Sequence, residues 1–126
     1  MGDISPRPSA RPCDLRERLF EFACDIIRVA QFLHTQGAVA KALSYQVLKC
    51  GTSAGANHEE ADDGSSRRDF VAKQRIVLRE LKETRFRLRV LRETGLITDA
   101  QDPLIAESTE LIKIVATIIR KTSGAE

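Results

Sequence analysis

Residues 67–93, RRDFVAKQRIVLRELKETRFRLRVLRE, decide the fold class of this chain. The stretch contains neither Gly nor Pro, and one stripe of residues recurs at steps of three, four or seven, which is the spacing of a single helix face. That stripe consists of Phe70, Val77, Leu81, Thr84, Leu88 and Leu91. Ser66 with Asp69 behind it is a start signal, and Gly95 is a stop signal. The pattern predicts one long amphipathic helix that begins after Ser66 and runs to Glu93.

Two helical patterns precede this helix along the chain. The first begins at Asp14, with Glu17 at the spacing of a capping box, and stops at Gly37. The second spans roughly residues 39–62 and ends at the Gly-Ser pair 64–65. Its seam steps by four and three residues and has one polar member: Leu43, Val47, Cys50, Ala54, Asn57 and Ala61.

A fourth helix is predicted to open between Asp99 and Pro103. Proline fits the first turn, so Asp102 is the expected cap. Leu104, Leu111, Val115 and Ile118 form one row, with Ile105, Ile112 and Ile119 beside it.

Four helices joined by short breaks, with no competing strand pattern, predict an all-α fold, an antiparallel up-down-up-down four-helix bundle over residues 14–122. Residues 1–13 hold three of the four prolines and little apolar material, so a disordered N-terminal arm is expected there. A disordered tail is expected over residues 123–126.

Composition excludes several classes of protein. The chain has 126 residues, enough for one domain, with 42% hydrophobic residues and a net charge of +2. It has no apolar run long enough to cross a membrane and no apolar signal core at its start. Cys13, Cys24 and Cys50 have no Cys-x-x-Cys spacing, which suits a reducing compartment. We therefore expect a cytoplasmic protein with no membrane contact.

Small residues are concentrated in the second helix at Gly51, Ser53 and Gly55. Each glycine inside a helix costs about 1 kcal/mol relative to alanine, which favours a compensating close approach of a neighbouring helix. The alternative is a loop that cradles phosphate, but no strand precedes these residues and no Gly-Lys-Ser/Thr follows them. Asn57 on the seam is expected to fix the helix register, and Glu60 is expected to join it in a polar network with an arginine of the third helix.

These segments carry a resemblance to a known family. Residues 48–57, LKCGTSAGAN, followed by Glu60, together with Arg68-Asp69-Phe70 and residues 93–96, ETGL, resemble the four-helix-bundle family of S23 ribosomal or 23S rRNA intervening-sequence proteins. Genes of that family lie in insertions within large-subunit ribosomal RNA genes. The same family resembles the accessory protein of diversity-generating retroelements, a pentameric ring that binds nucleic acid and a reverse transcriptase. The resemblance implies a helical bundle that assembles as a pentamer.

The third helix carries half of the chain's positive charge, with ten Lys and Arg against four Asp and Glu. Five cations gather on a helical wheel away from the core stripe: Arg68, Arg75, Arg79, Lys82 and Arg89. Such a row predicts contact with an RNA or DNA backbone.

Apolar residues also lie on this outer side, namely Ile76, Phe86 and Val90. A solvated charged face does not explain them. An apolar patch rimmed by charge is typical of an association site, so these three residues are the predicted oligomer interface, although Phe86 also fits as an aromatic that stacks on a base. In a ring of identical subunits the arginines would repeat into a concentrated positive surface.

An enzyme is the least favoured class. His58-Glu59-Glu60 with Asp62 and Asp63 suggests a metal, but a di-iron bundle needs Glu-x-x-His on two helices and that pair is missing. No cofactor or metal is expected. The predicted function is a non-catalytic homo-oligomeric interaction module, with RNA, DNA or a nucleic-acid-processing protein as partner. The alternative is a structural assembly protein with no nucleic-acid role.

Overall fold

The computed structural model describes residues 14–61, 63 and 66–124, and within these ranges every regular element is helical. The four α-helices are α1 (Leu15–His34), α2 (Ala38–Ala61), α3 (Arg67–Glu93) and α4 (Asp102–Ser123). A short 3-10 turn over Asp99–Gln101 leads into α4. The predicted all-α class with four helices is therefore confirmed. The predicted arm at residues 1–13 lies outside the described residues, as do the predicted helix-ending residues 64–65.

The predicted caps Asp14 and Ser66 and the predicted stop at Gly95 are confirmed, but Asp14 bonds Arg16 and does not form the predicted capping box with Glu17. The side chain of Asp14 accepts a hydrogen bond from the amide of Arg16 at 3.0 Å, and Ser66 accepts one from the amide of Asp69 at 3.2 Å. Both bonds satisfy amide donors that the first helical turn leaves without a partner. Gly95 follows α3 with a φ of +80°, a left-handed conformation that glycine adopts without a steric penalty.

The start of α4 differs from the prediction. The N-cap of α4 is Gln101, not Asp102, and its side chain makes no cap bond to α4. The side-chain cap belongs to the 3-10 turn, where Thr98 forms a reciprocal capping box with Gln101. Asp102 is already inside the helix and accepts a hydrogen bond from Arg92 Nε at 2.9 Å. Pro103 does lie in the first turn, as predicted. The side-chain cap lies one turn earlier than predicted because the amides of the 3-10 turn, which precedes α4, also need hydrogen-bond acceptors.

Contacts between neighbouring helices establish the direction of the first three. Leu19, near the start of α1, lies beside Gly55, near the end of α2, whereas the rings of His34 and Tyr45 meet at the opposite ends. The α1–α2 pair is therefore antiparallel.

The α2–α3 pair is also antiparallel. Arg87, late in α3, bonds Gln46, early in α2, while Lys73 bonds Glu60. α4 packs against α3 and also contacts α1. Arg18 of α1 and Glu107 of α4 form an ion pair with a nitrogen–oxygen distance of 2.7 Å. The antiparallel direction of α4 stays a prediction.

One apolar core runs through all four helices. Its largest fully buried apolar members are Leu19, Phe22, Ile26, Leu33, Leu81, Leu88, Leu91, Ile97, Leu104 and Leu111. Ile118, predicted as a member of the α4 row, is only half-buried. None of the described helices is long and apolar enough to cross a lipid bilayer.

α4 extends one residue into the predicted C-terminal tail. It ends at Ser123, and Gly124 follows in a left-handed conformation. Residues 125–126 lie outside the described residues.

Candidate interaction surfaces

The outer face of α3 holds all five predicted nucleic-acid-binding cations. Arg68, Arg75, Arg79, Lys82 and Arg89 are all exposed. At 100° per residue they lie within an arc of about 80°, and at 1.5 Å per residue they extend along roughly 30 Å of the helix. The helix as a whole has ten cations and four carboxylates, which gives it a formal charge of +6. This row is called the cation row below.

Three other cations of α3 differ because they are paired with neighbouring carboxylates. Lys73 Nζ lies 2.7 Å from Glu60, Arg87 lies 3.0 Å from Glu83, and Arg92 lies 2.9 Å from Asp102. Within the part of the chain that the structure describes, the cation row has one carboxylate contact, a 3.9 Å approach of Arg79 to Glu80. The charge of the row is therefore left for solvent or a ligand.

The predicted interface residues divide into two places. Phe86 is 63% exposed and Val90 37% exposed, and together with Leu43 of α2 they line a shallow groove of about 50 Å³. Phe86 lies roughly 160° round the helix from the buried Leu88, so it points away from the core. Ile76 is half-buried, about 15 Å along the helix from Phe86 and turned about 80° from it. The patch contains Phe86 and Val90 but not Ile76.

The small residues of α2 allow close helix packing, as predicted. A β-carbon built on Gly51 would lie 2.6 Å from Cγ2 of Ile26 in α1, which is closer than real side chains approach. A β-carbon on Gly55 would lie 3.6 Å from the carbonyl oxygen of Leu19, an ordinary contact. Close approach therefore requires glycine at Gly51 alone.

The phosphate-cradle alternative fails for this segment. Residues 51–56 are all inside α2, where backbone amides bond within the helix. The hydroxyls of Thr52 and Ser53 donate to the carbonyls of Leu48 and Lys49, at 2.8 and 2.6 Å. These groups are already used by the helix itself.

The predicted polar network around Asn57 is wrong. Asn57 is half-buried, and its amide donates to the carbonyl of Ser53 in its own helix at 2.9 Å. Glu60 is exposed and pairs with Lys73 rather than with an arginine. The buried polar residue in this half of α2 is instead His58, one position further on. Asn57 and His58 lie three and four positions after Ala54, and either spacing continues a helical stripe. The heptad pattern predicted Asn57 as the buried residue, which is wrong.

His58 forms a buried contact with α3 that the sequence patterns do not identify. Its Nδ1 lies 2.9 Å from Nε2 of Gln74, a residue of the α3 core face with no solvent exposure. Oε1 of Gln74 is buried and has no hydrogen-bond partner within the described residues. The sequence did contain a signal for this contact. Gln74 lies three residues before Val77, so it is a polar residue on the core face of α3.

The residue types that ligate metals lie apart from one another in the part of the chain that the structure describes. Within residues 14–61, 63 and 66–124, no three His, Cys, Asp or Glu side chains come together as metal ligands. Cys50 is buried, and that burial raises the pKa of its thiol above the usual value of 9.0. Cys24 is half-buried.

A second apolar surface lies between α1 and α2. Phe20 is 59% exposed and Ile27 41% exposed, seven residues apart on one face of α1. Beside Phe20, a groove of about 210 Å³ separates the two helices. Its lining includes Ala23, Gly55 and Ala56, with Glu59 at one end. The sequence signal for this surface was the pair of doublets Leu19-Phe20 and Ile26-Ile27. In each doublet the first residue belongs to the core stripe and the second lies outside it.

Comparison with known proteins places this bundle in a family. The profile of the 23S rRNA-intervening sequence protein family matches residues 13–117, nearly the whole of the bundle. The chain belongs to this family. The predicted resemblance to that family is thereby confirmed.

A solved structure agrees with this assignment. A protein of unknown function from the S23 ribosomal protein family of Bacteroides thetaiotaomicron VPI-5482 is 35% identical in sequence. The alignment covers 85% of this chain and 99% of that chain, with a TM-score of 0.78. Among curated proteins, none matches the chain.

Proposed function

We propose that this member of the intervening sequence protein family is a non-catalytic homo-oligomer that binds the phosphate backbone of RNA or DNA through the cation row of α3. The observation that carries the proposal is the contrast within one helix. Lys73, Arg87 and Arg92 are paired with carboxylates at 2.7–3.0 Å, whereas among the described residues the cation row has one carboxylate contact, at 3.9 Å. Cations that the fold does not neutralise are available to a polyanion.

The chemistry of the row suits a phosphate backbone. Four of its five members are arginines, whose planar guanidinium bonds phosphate with two parallel donors. Each phosphate contact releases condensed counterions, so each cation of the row that contacts a phosphate of duplex DNA adds roughly −0.9 to the slope of log K against log salt. Binding of this kind requires no base-specific pocket.

Self-association is the second part of the proposal. Phe86 and Val90 are apolar and exposed on a helix whose outer face is otherwise strongly charged. Burying them between copies removes apolar area from water, and each copy adds another cation row to the assembly. The resemblance to the retroelement accessory protein supports a pentamer.

The alternative function is structural assembly without a nucleic-acid role. The net charge of only +2 per chain favours it, because most of the excess on α3 is balanced elsewhere in the sequence. The two functions differ in what the cation row does, which a binding experiment decides.

The binding experiment measures affinity for mixed-sequence RNA and DNA over a range of salt concentrations. The test variant is Arg75→Glu/Arg79→Glu/Lys82→Glu, and the control is Lys41→Glu/Lys49→Glu/Lys121→Glu, which changes net charge equally on exposed sites outside α3. We expect the test variant to lose binding and the control to retain most of it. Unchanged binding by the test variant, or equal loss in the control, overturns the nucleic-acid proposal and favours the structural alternative.

Sedimentation analysis tests the assembly. Phe86→Asp is expected to dissociate the oligomer while circular dichroism remains helical, since the side chain is exposed in the subunit. A wild-type protein that sediments as a monomer at tens of micromolar contradicts self-association.

A further inference from the structure

Three grooves on the described surface differ in how well they suit the ring of Phe86. The groove beside Phe86 itself, lined by Leu43 and Val90, has a volume of about 50 Å³. An apolar cavity of about 150 Å³ holds one benzene molecule, so a phenyl ring does not fit there. Two copies therefore cannot associate by inserting Phe86 into each other's identical groove.

The groove on α4 is large enough but has the wrong charge. Its volume is about 320 Å³, and its lining includes Lys113 and Lys121. Phe86 is surrounded on its own helix by the cations Arg79, Lys82 and Arg89. Bringing these cations against two lysines would place like charges together, which opposes association.

The groove between α1 and α2 satisfies both requirements. Its volume is about 210 Å³, and Phe20, Ala23 and Ala56 contribute apolar surface to it. At its end Arg16 Nε lies 3.4 Å from the Glu59 carboxylate, so this rim is neutral overall and offers a carboxylate to incoming cations. Gly55 keeps the floor open because it has no side chain.

We propose that Phe86 of one copy inserts into the groove between α1 and α2 of the next copy, so that subunits associate head to tail. This inference rests on the proposed self-association and identifies the surface that receives Phe86. When each interface holds one Phe86 and one groove, the contact is heterologous, and contacts of that type close into rings or extend into chains. Glu59 lies where the cations around Phe86 would approach it.

The arrangement leaves part of the cation row free. Arg75 lies 11 residues before Phe86, or roughly 16 Å along the helix, and Arg68 lies still further away. These arginines remain outside the contact and repeat around the assembly. The cations nearest Phe86 instead become part of the subunit boundary.

Two single variants test the inference by sedimentation velocity. Phe86→Asp removes the inserting side chain, and Ala56→Arg fills the groove from an exposed position of α2. Ala106→Arg, on the exposed side of α4, is the matched control and should assemble like the wild type. Each test variant is expected to sediment as a monomer with unchanged helical circular dichroism.

An equimolar mixture of the two variants gives the sharper result. Phe86→Asp retains an intact groove and Ala56→Arg retains an intact Phe86, so one productive contact remains possible between them. The mixture is expected to form a 1:1 dimer and no larger species. A mixture that stays monomeric overturns head-to-tail association.

The remaining outcomes separate this inference from the proposed function. If Phe86→Asp assembles normally, Phe86 is not in the interface and the self-association proposal fails at that surface. If Phe86→Asp dissociates but Ala56→Arg assembles like the wild type, self-association through Phe86 stands and the α1–α2 groove is overturned as its receptor.

Discussion

Gly51 of α2 and Ile26 of α1 lie so close together that no side chain fits at position 51. A β-carbon there would be 2.6 Å from Cγ2 and 2.8 Å from Cγ1 of Ile26, and Ile26 is fully buried. A β-branched side chain has little rotamer freedom to move aside. This contact therefore sets how closely the first two helices pack.

Gly51→Ala is predicted to destabilise the bundle. Overpacking a core costs about 1–3 kcal/mol, and the better helix propensity of alanine returns at most about 1 kcal/mol. We expect a net loss of about 1–2 kcal/mol in the free energy of unfolding, measured by urea denaturation. Gly55→Ala is the matched control, with a predicted small gain because its β-carbon meets only ordinary contacts. Equal effects of the two changes would contradict the account of Gly51, and Ile26→Ala in the same background should reduce the Gly51→Ala penalty.

The His58–Gln74 pair predicts a non-additive pair of mutations. His58→Leu or Gln74→Leu alone leaves a buried polar partner without its hydrogen bond, which costs about 1–3 kcal/mol. Replacing both with leucine removes the two polar groups and the buried Gln74 oxygen that has no partner among the described residues. The double variant is expected to be more stable than either single variant in thermal and urea unfolding. Additive losses would show that the pair is not coupled.

The capping box before α4 predicts a position-specific loss. Thr98→Ala removes the side chain that caps the 3-10 turn, and we expect a loss of about 1 kcal/mol in the free energy of unfolding. Thr98→Ser should retain most of the stability because its hydroxyl accepts the same bond. Asp102→Ala, at the residue predicted as the cap, should cost less, since it loses only an exposed ion pair with Arg92. A larger loss for Asp102→Ala than for Thr98→Ala would contradict this prediction and indicate Asp102 as the cap.

The buried thiol of Cys50 predicts a decline of stability at alkaline pH. Because burial raises the pKa of this thiol in the folded protein, the folded state holds the proton more tightly than the unfolded chain does. The contribution of the protonated thiol to the free energy of unfolding is complete below the unfolded-state pKa and is lost as the pH rises through the folded-state pKa. Cys50→Ala should therefore show a shallower fall in stability above about pH 9 than the wild type. Cys24→Ala retains Cys50 and should keep the wild-type slope; identical slopes for all three proteins would contradict the prediction.

Local signals in the sequence were sufficient for the helices and for most of their ends. Asp14, Ser66 and Gly95 act as predicted because a cap bonds only to amides and carbonyls within one turn of itself. Thr98 was missed because two start signals lie within the same few residues: the capping box of Thr98 and Gln101, and Pro103, which indicated a start at Asp102. The exposed cation row was also predictable, since a helix with one apolar stripe must turn its opposite side to solvent.

The sequence by itself determined four amphipathic helices, their charged outer sides and the family to which the chain belongs, because each of these depends on residues within a few turns of one another. Only the tertiary structure decided that His58 rather than Asn57 is buried, and that Ile76 lies apart from Phe86. It alone revealed a groove beside Phe20 of a size to receive an aromatic ring. These features depend on the rotation and separation of neighbouring helices, which many distant side chains set together and no single stretch of sequence encodes.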